Sequence, residues 1–141
     1  AFGTRTKTLA RLDTAQLPPT WRPVATLETD GHHPELTGTG DGRLFAYFPA
    51  PGRGRVQELD RSTAAPIGAP WVLGDAADAV EAYAFAHWGG TFYVFTTVGG
   101  VSSVHAVPMQ AGAPARIATD LPMRIVGAGV STCAPLLERA P

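Results

Sequence analysis

The most constraining feature of the sequence is a stretch that occurs twice. It covers residues 36–67 and recurs at residues 84–115, 48 positions later and without a gap. In each copy a turn containing glycine, Asp41-Gly42 or Gly89-Gly90, precedes an apolar and aromatic run. The residues identical between the copies are Gly42/Gly90, Gly52/Gly100, Val56/Val104, Ala65/Ala113 and Pro66/Pro114. Because residue classes and turn positions agree even where residues differ, the chain must repeat one structural unit.

Each copy predicts four short strands, as in a propeller blade. The first copy predicts strands at residues 35–39, 43–48, 55–59 and 67–73, and the second at residues 83–87, 91–97, 103–107 and 116–119. The Asp-Gly and Gly-Gly turns favour hairpins, because such turns need a positive φ. The second strand of each copy is apolar on both faces, which suits a sheet packed between two others. We therefore predict an all-β fold of antiparallel four-stranded blades, a partial β-propeller; a two-sheet β-sandwich is the alternative.

The N-terminal part of the chain carries a third, incomplete copy of the unit. Residues 8–15 resemble residues 55–62, and both contain a Leu-Asp pair followed by Thr or Ser. An Asp side chain in such a turn accepts a hydrogen bond from the backbone two residues later. The chain here resembles the Leu-Asp-x-x-Thr turn of several β-propeller repeat families, among them secreted bacterial proteins. The resemblance implies a propeller-like domain outside the cytoplasm, at the cell surface, in the periplasm or secreted.

The repeat also predicts the domain organisation. We expect one repeat domain over residues 1–133: the end of a blade at 1–27, a blade at 28–74, a second at 75–121 and the first strand of another at 122–133. Residues 134–141 are predicted to form a tail. Propellers have about four to eight blades, so about three would leave the ring open. We expect the sequence to be part of a longer chain, or to complete a six-bladed ring with a protein partner or by self-association.

Composition excludes some partners. With 11 Lys and Arg against 12 Asp and Glu, the formal net charge is −1, which favours neither nucleic acid nor an anionic membrane. No apolar run approaches the length of about 18–20 residues needed to cross a bilayer. The one cysteine, Cys133, cannot form a disulfide within this sequence, and its surroundings carry no signature of a nucleophile.

Candidate functional residues lie in the linkers between blades. The linkers from the last strand of one blade to the first of the next should emerge on the same face as the loop between the second and third strands. The candidate ligand-binding residues are Glu28, Asp30, His32, Arg53, Asp75, Asp78 and Trp88. Carboxylates and imidazoles could bind a divalent cation. Their spacing matches no metal motif, so we assign no metal ligand, cofactor or catalytic residue.

Three functions remain open at this point. The leading hypothesis is a non-catalytic binding or scaffolding module with an unknown ligand. The second is a metal-assisted hydrolase or lyase that acts on carbohydrate at the linker face. The third is a structural subunit that pairs with another chain through the edges of its blades. Propellers serve all three purposes, so the fold does not decide between them.

Overall fold

The computed structural model describes residues 1–29, 32–74, 80–131 and 133–137. The described residues form strands and no helix, and hence no helix that could span a membrane. The strands are β1 (Phe2–Gly3), β2 (Thr8–Asp13), β3 (Thr20–Thr26), β4 (Glu35–Gly38), β5 (Leu44–Phe48), β6 (Arg55–Leu59), β7 (Pro66–Val72), β8 (Ala82–Trp88), β9 (Thr91–Val98), β10 (Val101–Pro108) and β11 (Ala115–Leu121).

The strands form three antiparallel sheets, each from consecutive strands. The N-terminal sheet has the order β1-β2-β3, the middle sheet β4-β5-β6-β7 and the C-terminal sheet β8-β9-β10-β11. The prediction of an all-β fold with two four-stranded units is confirmed. The sandwich alternative is wrong, because the described strands divide among three sheets rather than two.

The repeated turns are the local reason for this division. Gly42 has a φ of 83° between β4 and β5, and Gly90 has a φ of 80° at the equivalent turn between β8 and β9. Glycine adopts this backbone conformation without the steric penalty that a Cβ brings. With the turns at the predicted positions, the ends of the observed strands differ from the predicted ones by at most two residues, and β6 has the predicted bounds.

The turn after β6 is held as the sequence predicts. The carboxylate of Asp60 accepts hydrogen bonds from the backbone N–H groups of Ser62 and Thr63, both at 2.8 Å, and from both hydroxyl groups. These bonds lower the pKa of Asp60 to about 2. The matching turn in the N-terminal sheet is held in the same way, because Asp13 accepts the N–H of Ala15 at 3.0 Å.

The middle sheet is buried on both faces. One face contacts the C-terminal sheet in a cluster of Phe45, Tyr47, Val56, Leu73, Phe85, Phe92, Val94 and Val107. The other face contacts the N-terminal sheet in a cluster of Leu9, Leu27, Ala46, Phe48, Leu59 and Ala64. Alternating residues of β5 supply the two clusters, since successive side chains of a strand point to opposite faces. Four of the five β5 residues are consequently buried.

The first strands of the two four-stranded sheets lie beside each other. β4 contacts β8, and the N-terminal side of this contact is closed by a hydrogen bond from the Tyr83 hydroxyl to the His33 carbonyl at 2.7 Å. Small residues allow the approach: Gly38 lies in β4, and Ala84 in β8 is fully buried. The last strands, β7 and β11, are mostly exposed.

Residues 122–133 were predicted to hold the first strand of a further blade, but the described residues of this range form no strand. These residues instead belong to a C-terminal segment, residues 122–131, that is attached to the end of the C-terminal sheet. The Ser102 hydroxyl donates to the Met123 carbonyl at 2.6 Å and accepts the N–H of Ile125 at 3.2 Å. Arg124 donates to the Glu81 carbonyl at 3.2 Å. The prediction was wrong because a strand needs a neighbouring strand for its backbone ladder, and no described strand pairs with this segment.

The beginning of the predicted tail is packed rather than free. Within residues 133–137, Ala134 is buried, and the Pro135 carbonyl accepts the N–H of Gly89 at 3.0 Å. A Cβ added to Gly90 would lie 2.8 Å from the Leu136 carbonyl oxygen. The C-terminal segment and these residues thus pass from the Glu81 end of the C-terminal sheet to the Gly89-Gly90 turn at its opposite end.

Candidate functional site

The predicted site residues are divided between two ends of the sheets. His32 and Arg53 lie at the linker end, where β4 and β8 begin and where β5 passes into β6. Trp88 lies at the other end of β8, beside the Gly89-Gly90 turn, and half of its surface is exposed. Trp88 therefore cannot share a site with His32.

The remaining predicted residues contribute little to a shared geometry. Glu28 is exposed, and so is Arg53, whose backbone N–H donates to Ala50 within the loop between β5 and β6. Asp30, Asp75 and Asp78 lie outside the described residues. The described residues contain no group of three or more His, Cys, Asp or Glu side chains that could hold a metal ion.

A group of aromatic and polar residues lies at the linker end, where β4 and β8 begin, and His32 is its only member that was predicted as a site residue. We call it the Tyr83 cluster: Thr29, His32, His33, Glu35, Tyr47 and Tyr83. The His32 ring meets the Tyr83 ring edge to face, with ring centroids 6.3 Å apart. Tyr47 meets Tyr83 in a similar geometry at 6.1 Å. Glu35 lies directly opposite Tyr47 in the β4–β5 ladder, so both side chains point to the same face.

Burial shifts the pKa values of three groups in the Tyr83 cluster. Desolvation raises the pKa of the Tyr47 phenol, and the neighbouring Tyr83 raises it further. The pKa of Tyr83 is raised by desolvation, against the hydrogen bond to His33 and with a small contribution from Glu35. Partial desolvation also raises the pKa of Glu35, although the residue as a whole is exposed. Both phenols are therefore protonated at neutral pH and act as hydrogen-bonding groups rather than as bases.

Comparisons with protein-family models, curated proteins and solved structures found no match for this chain.

Three polar atoms of the Tyr83 cluster are buried without a hydrogen-bond partner among the described residues: Thr29 Oγ1, His33 Nδ1 and the Tyr47 hydroxyl oxygen. A buried polar group without a partner costs about 1–3 kcal/mol, so such groups are rare in folded proteins. The only other atoms of this kind in the described chain are the two ring nitrogens of His87. The Tyr47 ring lies beside Tyr83, whereas the His33 ring contacts Phe2 of β1 at a centroid distance of 6.1 Å. Thr29 and His33 belong to the linker that precedes β4, and Tyr47 lies near the linker end of β5, so the linker end is the best candidate for a site.

The sequence contained one signal for this cluster. Tyr47 and Tyr83 are tyrosines at strand positions where phenylalanine would supply the same apolar surface, and both are near a linker. A buried tyrosine hydroxyl usually finds a partner, so a tyrosine in a core strand marks a polar end of that core. The cluster offers hydroxyl, imidazole and carboxylate groups next to aromatic rings, which suits hydrogen-bonded binding.

Proposed function

We propose that the three sheets are consecutive blades of a β-propeller and that the chain acts as a non-catalytic binding or scaffolding module. The observation that carries this proposal is the middle sheet, whose two faces are covered by two further sheets in chain order. A sandwich would leave one face of each sheet in solvent. In a propeller every sheet has a neighbour on both sides.

The path of the chain supports the same arrangement. After the exposed strand β7 the chain returns to place β8 beside β4, the first strand of the preceding sheet. Inner strands in contact and outer strands in solvent are what a radial arrangement of sheets requires. The linkers then come together near the inner strands, which is where the Tyr83 cluster lies.

We assign binding to the linker end, since the Tyr83 cluster presents hydrogen-bonding groups beside aromatic rings. Amide resonances provide the test, with a panel of soluble oligosaccharides, short peptides and the chlorides of calcium, magnesium and zinc. A binding ligand is expected to shift the resonances of His32, Glu35 and Tyr83. Shifts confined to the opposite end, around Trp88, would contradict the assignment. A Tyr83→Phe variant provides the control, because it removes one hydroxyl and keeps the ring.

A second candidate function, a structural subunit that completes a ring with another chain, is favoured by the outer face of the C-terminal sheet. Phe45 and Tyr47 point from the middle sheet to the C-terminal sheet and are fully buried. The residues 48 positions later are Tyr93 and Phe95, which point away from the middle sheet and are only half-buried. The same aromatic face is thus covered in one unit and partly open in the next, as expected if a further sheet packs there.

Light scattering tests this candidate. If two copies complete a six-bladed ring, the mass in solution should be twice 14.7 kDa, and negative-stain images should show a disc with a central channel. Replacement of both Tyr93 and Phe95 by Ser should then give a monomer that keeps its β-sheet circular dichroism. A monomeric wild-type chain across micromolar concentrations would refute self-association while leaving ligand binding at the linker end open to its own test.

A further inference from the structure

A groove of about 670 Å³ opens between the N-terminal sheet and the middle sheet, away from the linker end. One wall is formed by β2 and β3, and the other by the start of β5 and the turn after β6. The groove is lined by three arginines, Arg11, Arg22 and Arg61, and by apolar side chains that include those of Leu9, Val24 and Leu44. The apolar part of this lining borders the shared core of the two sheets, because Leu9 belongs to that core and the partly exposed Val24 and Leu44 pack against it.

Two of the arginines form an unfavourable pair. Arg11 of β2 lies directly opposite Arg22 of β3 in the ladder. Directly opposed residues have Cβ atoms about 4.5–5.5 Å apart, and like charges at this distance destabilise a sheet. Among the described residues, no acidic side chain forms an ion pair with Arg11, Arg22 or Arg61. The nearest carboxylate in sequence to Arg61 is that of Asp60, which is occupied by the bonds of its own turn.

An anion in the groove would relieve this repulsion. A carboxylate can accept two parallel hydrogen bonds from one guanidinium, or bridge two guanidinium groups. The chain as a whole carries a net charge of −1, so the attraction would be local to the groove and would not come from a general positive field.

The apolar lining decides between two kinds of anionic partner. Sugar rings are held largely by stacking on aromatic side chains, and no aromatic residue lines the groove among the described residues. Leucine, valine and proline side chains suit apolar amino-acid side chains instead. We propose that the groove binds an acidic, leucine-rich peptide segment of a partner protein, with carboxylates at Arg11, Arg22 and Arg61 and apolar side chains against the partly exposed Val24 and Leu44. The proposal depends neither on a closed ring nor on the Tyr83 cluster.

Fluorescence anisotropy tests the proposal with the intact chain. The probe is a fluorescein-labelled hexapeptide of three glutamates and three leucines, and the matched control peptide has glutamine for each glutamate. The first peptide should bind and the second should not, and binding should weaken as salt is raised from about 50 to 300 mM. Arg11→Gln and Arg22→Gln should each weaken binding about five- to tenfold, because each removes a charge-assisted hydrogen bond at a partly exposed site.

Two variants and one competitor complete the test. Arg53→Gln removes an exposed arginine at the linker end and should leave the affinity unchanged. Val24→Thr keeps the size of a partly exposed lining residue but replaces a methyl group by a hydroxyl, and it should weaken peptide binding severalfold. The proposal is overturned if the peptide does not bind, if Arg53→Gln weakens binding as much as Arg11→Gln, or if Val24→Thr has no effect. It is also overturned if chondroitin sulfate binds as tightly as the peptide, since that outcome would indicate a site for polyanions in general.

Discussion

Replacement of Tyr47 by Phe tests whether the hydroxyl at the linker end is unsatisfied in the folded chain. Tyr47 is fully buried, and its hydroxyl has no hydrogen-bond partner among the described residues. Its ring packs against Phe85 at a centroid distance of 6.2 Å and against Tyr83 at 6.1 Å. The phenylalanine ring would keep both contacts and remove only the oxygen, so the substitution isolates the contribution of one polar atom.

The direction of the change in unfolding free energy shows whether the Tyr47 hydroxyl has a hydrogen-bond partner in the folded chain. In the unfolded chain the hydroxyl bonds to water, and in the folded chain it loses these bonds without replacement, at a cost of about 1–3 kcal/mol. Tyr47→Phe should therefore raise the free energy of unfolding by about 1–3 kcal/mol. With an m-value of about 2 kcal/mol per molar urea, the midpoint of unfolding should rise by about 0.5–1.5 M, and the m-value should not change.

Tyr83→Phe is the matched control, because the Tyr83 hydroxyl donates to the His33 carbonyl at 2.7 Å. Its loss should lower the free energy of unfolding by about 0.5–1.5 kcal/mol, so the two substitutions should act in opposite directions. If Tyr47→Phe instead destabilises the chain as much as Tyr83→Phe does, the Tyr47 hydroxyl has a bound partner such as an ordered water. The reasoning that marks the cluster as unsatisfied would then be refuted.

Three further predictions concern other parts of the chain. His87 is fully buried, and desolvation holds the pKa of its imidazole below 6.5, so the unfolded chain takes up a proton first as the pH falls. Between pH 7.5 and 5.5, the free energy of unfolding of the wild type, measured in urea titrations, should fall by up to about 1.4 kcal/mol relative to that of His87→Phe. A difference between the two proteins that does not change with pH would contradict the burial of His87. The carboxyl resonance of Asp60 should titrate with a pKa of about 2, and the stability that this turn contributes should be lost as the pH falls from about 4 toward 2. A titration near the ordinary value of 3.8 would mean that the hydrogen bonds to this carboxylate do not form. Gly90→Ala should lower the unfolding midpoint more than Gly99→Ala does. Both glycines have a positive φ, but only at Gly90 would the new Cβ meet the Leu136 carbonyl. Equal effects of the two substitutions would show that residues 133–137 do not pack against the Gly89-Gly90 turn.

The fold could be predicted to the level of sheets because its determinants are local. Glycine turns with positive φ, a Leu-Asp turn and short apolar runs each act over a few residues, and the chain repeats them at one period. Pairing between consecutive strands then follows from the turns. The face of each residue follows from the alternation along a strand, as in β5, where Phe45 and Ala46 enter different clusters.

The features that the sequence did not predict depend on contacts between residues that are far apart in the chain. Residues 124–131 have the composition of a first strand, but a strand is defined by its neighbour, and the described chain supplies none. The Tyr83 cluster joins residues from β4, β5, β8 and the linker before β4, so its members meet only when two sheets pack. Arg11 and Arg22 lie opposite each other because of the register of β2 and β3. This register includes a bulge between Leu9 and Ala10, which no sequence pattern predicts.

The interface between the middle and C-terminal sheets is apolar at its centre and contains buried polar groups toward its ends. Its centre is apolar, with the rings of Phe45 and Phe92 at a centroid distance of 4.6 Å and Val94 fully buried beside them. Two residues with buried unpartnered polar atoms lie toward its ends, Tyr47 toward the linker end and His87 toward the opposite end, and the other two, Thr29 and His33, lie in the linker before β4. Because substitution of a polar residue at either end leaves the buried apolar side chains of the centre in place, we expect the fold to be kept. Substitutions at the linker end should therefore change binding without unfolding the chain, whereas truncation of Phe45 or Phe92 to alanine should cost about 3–5 kcal/mol and disturb both ends together.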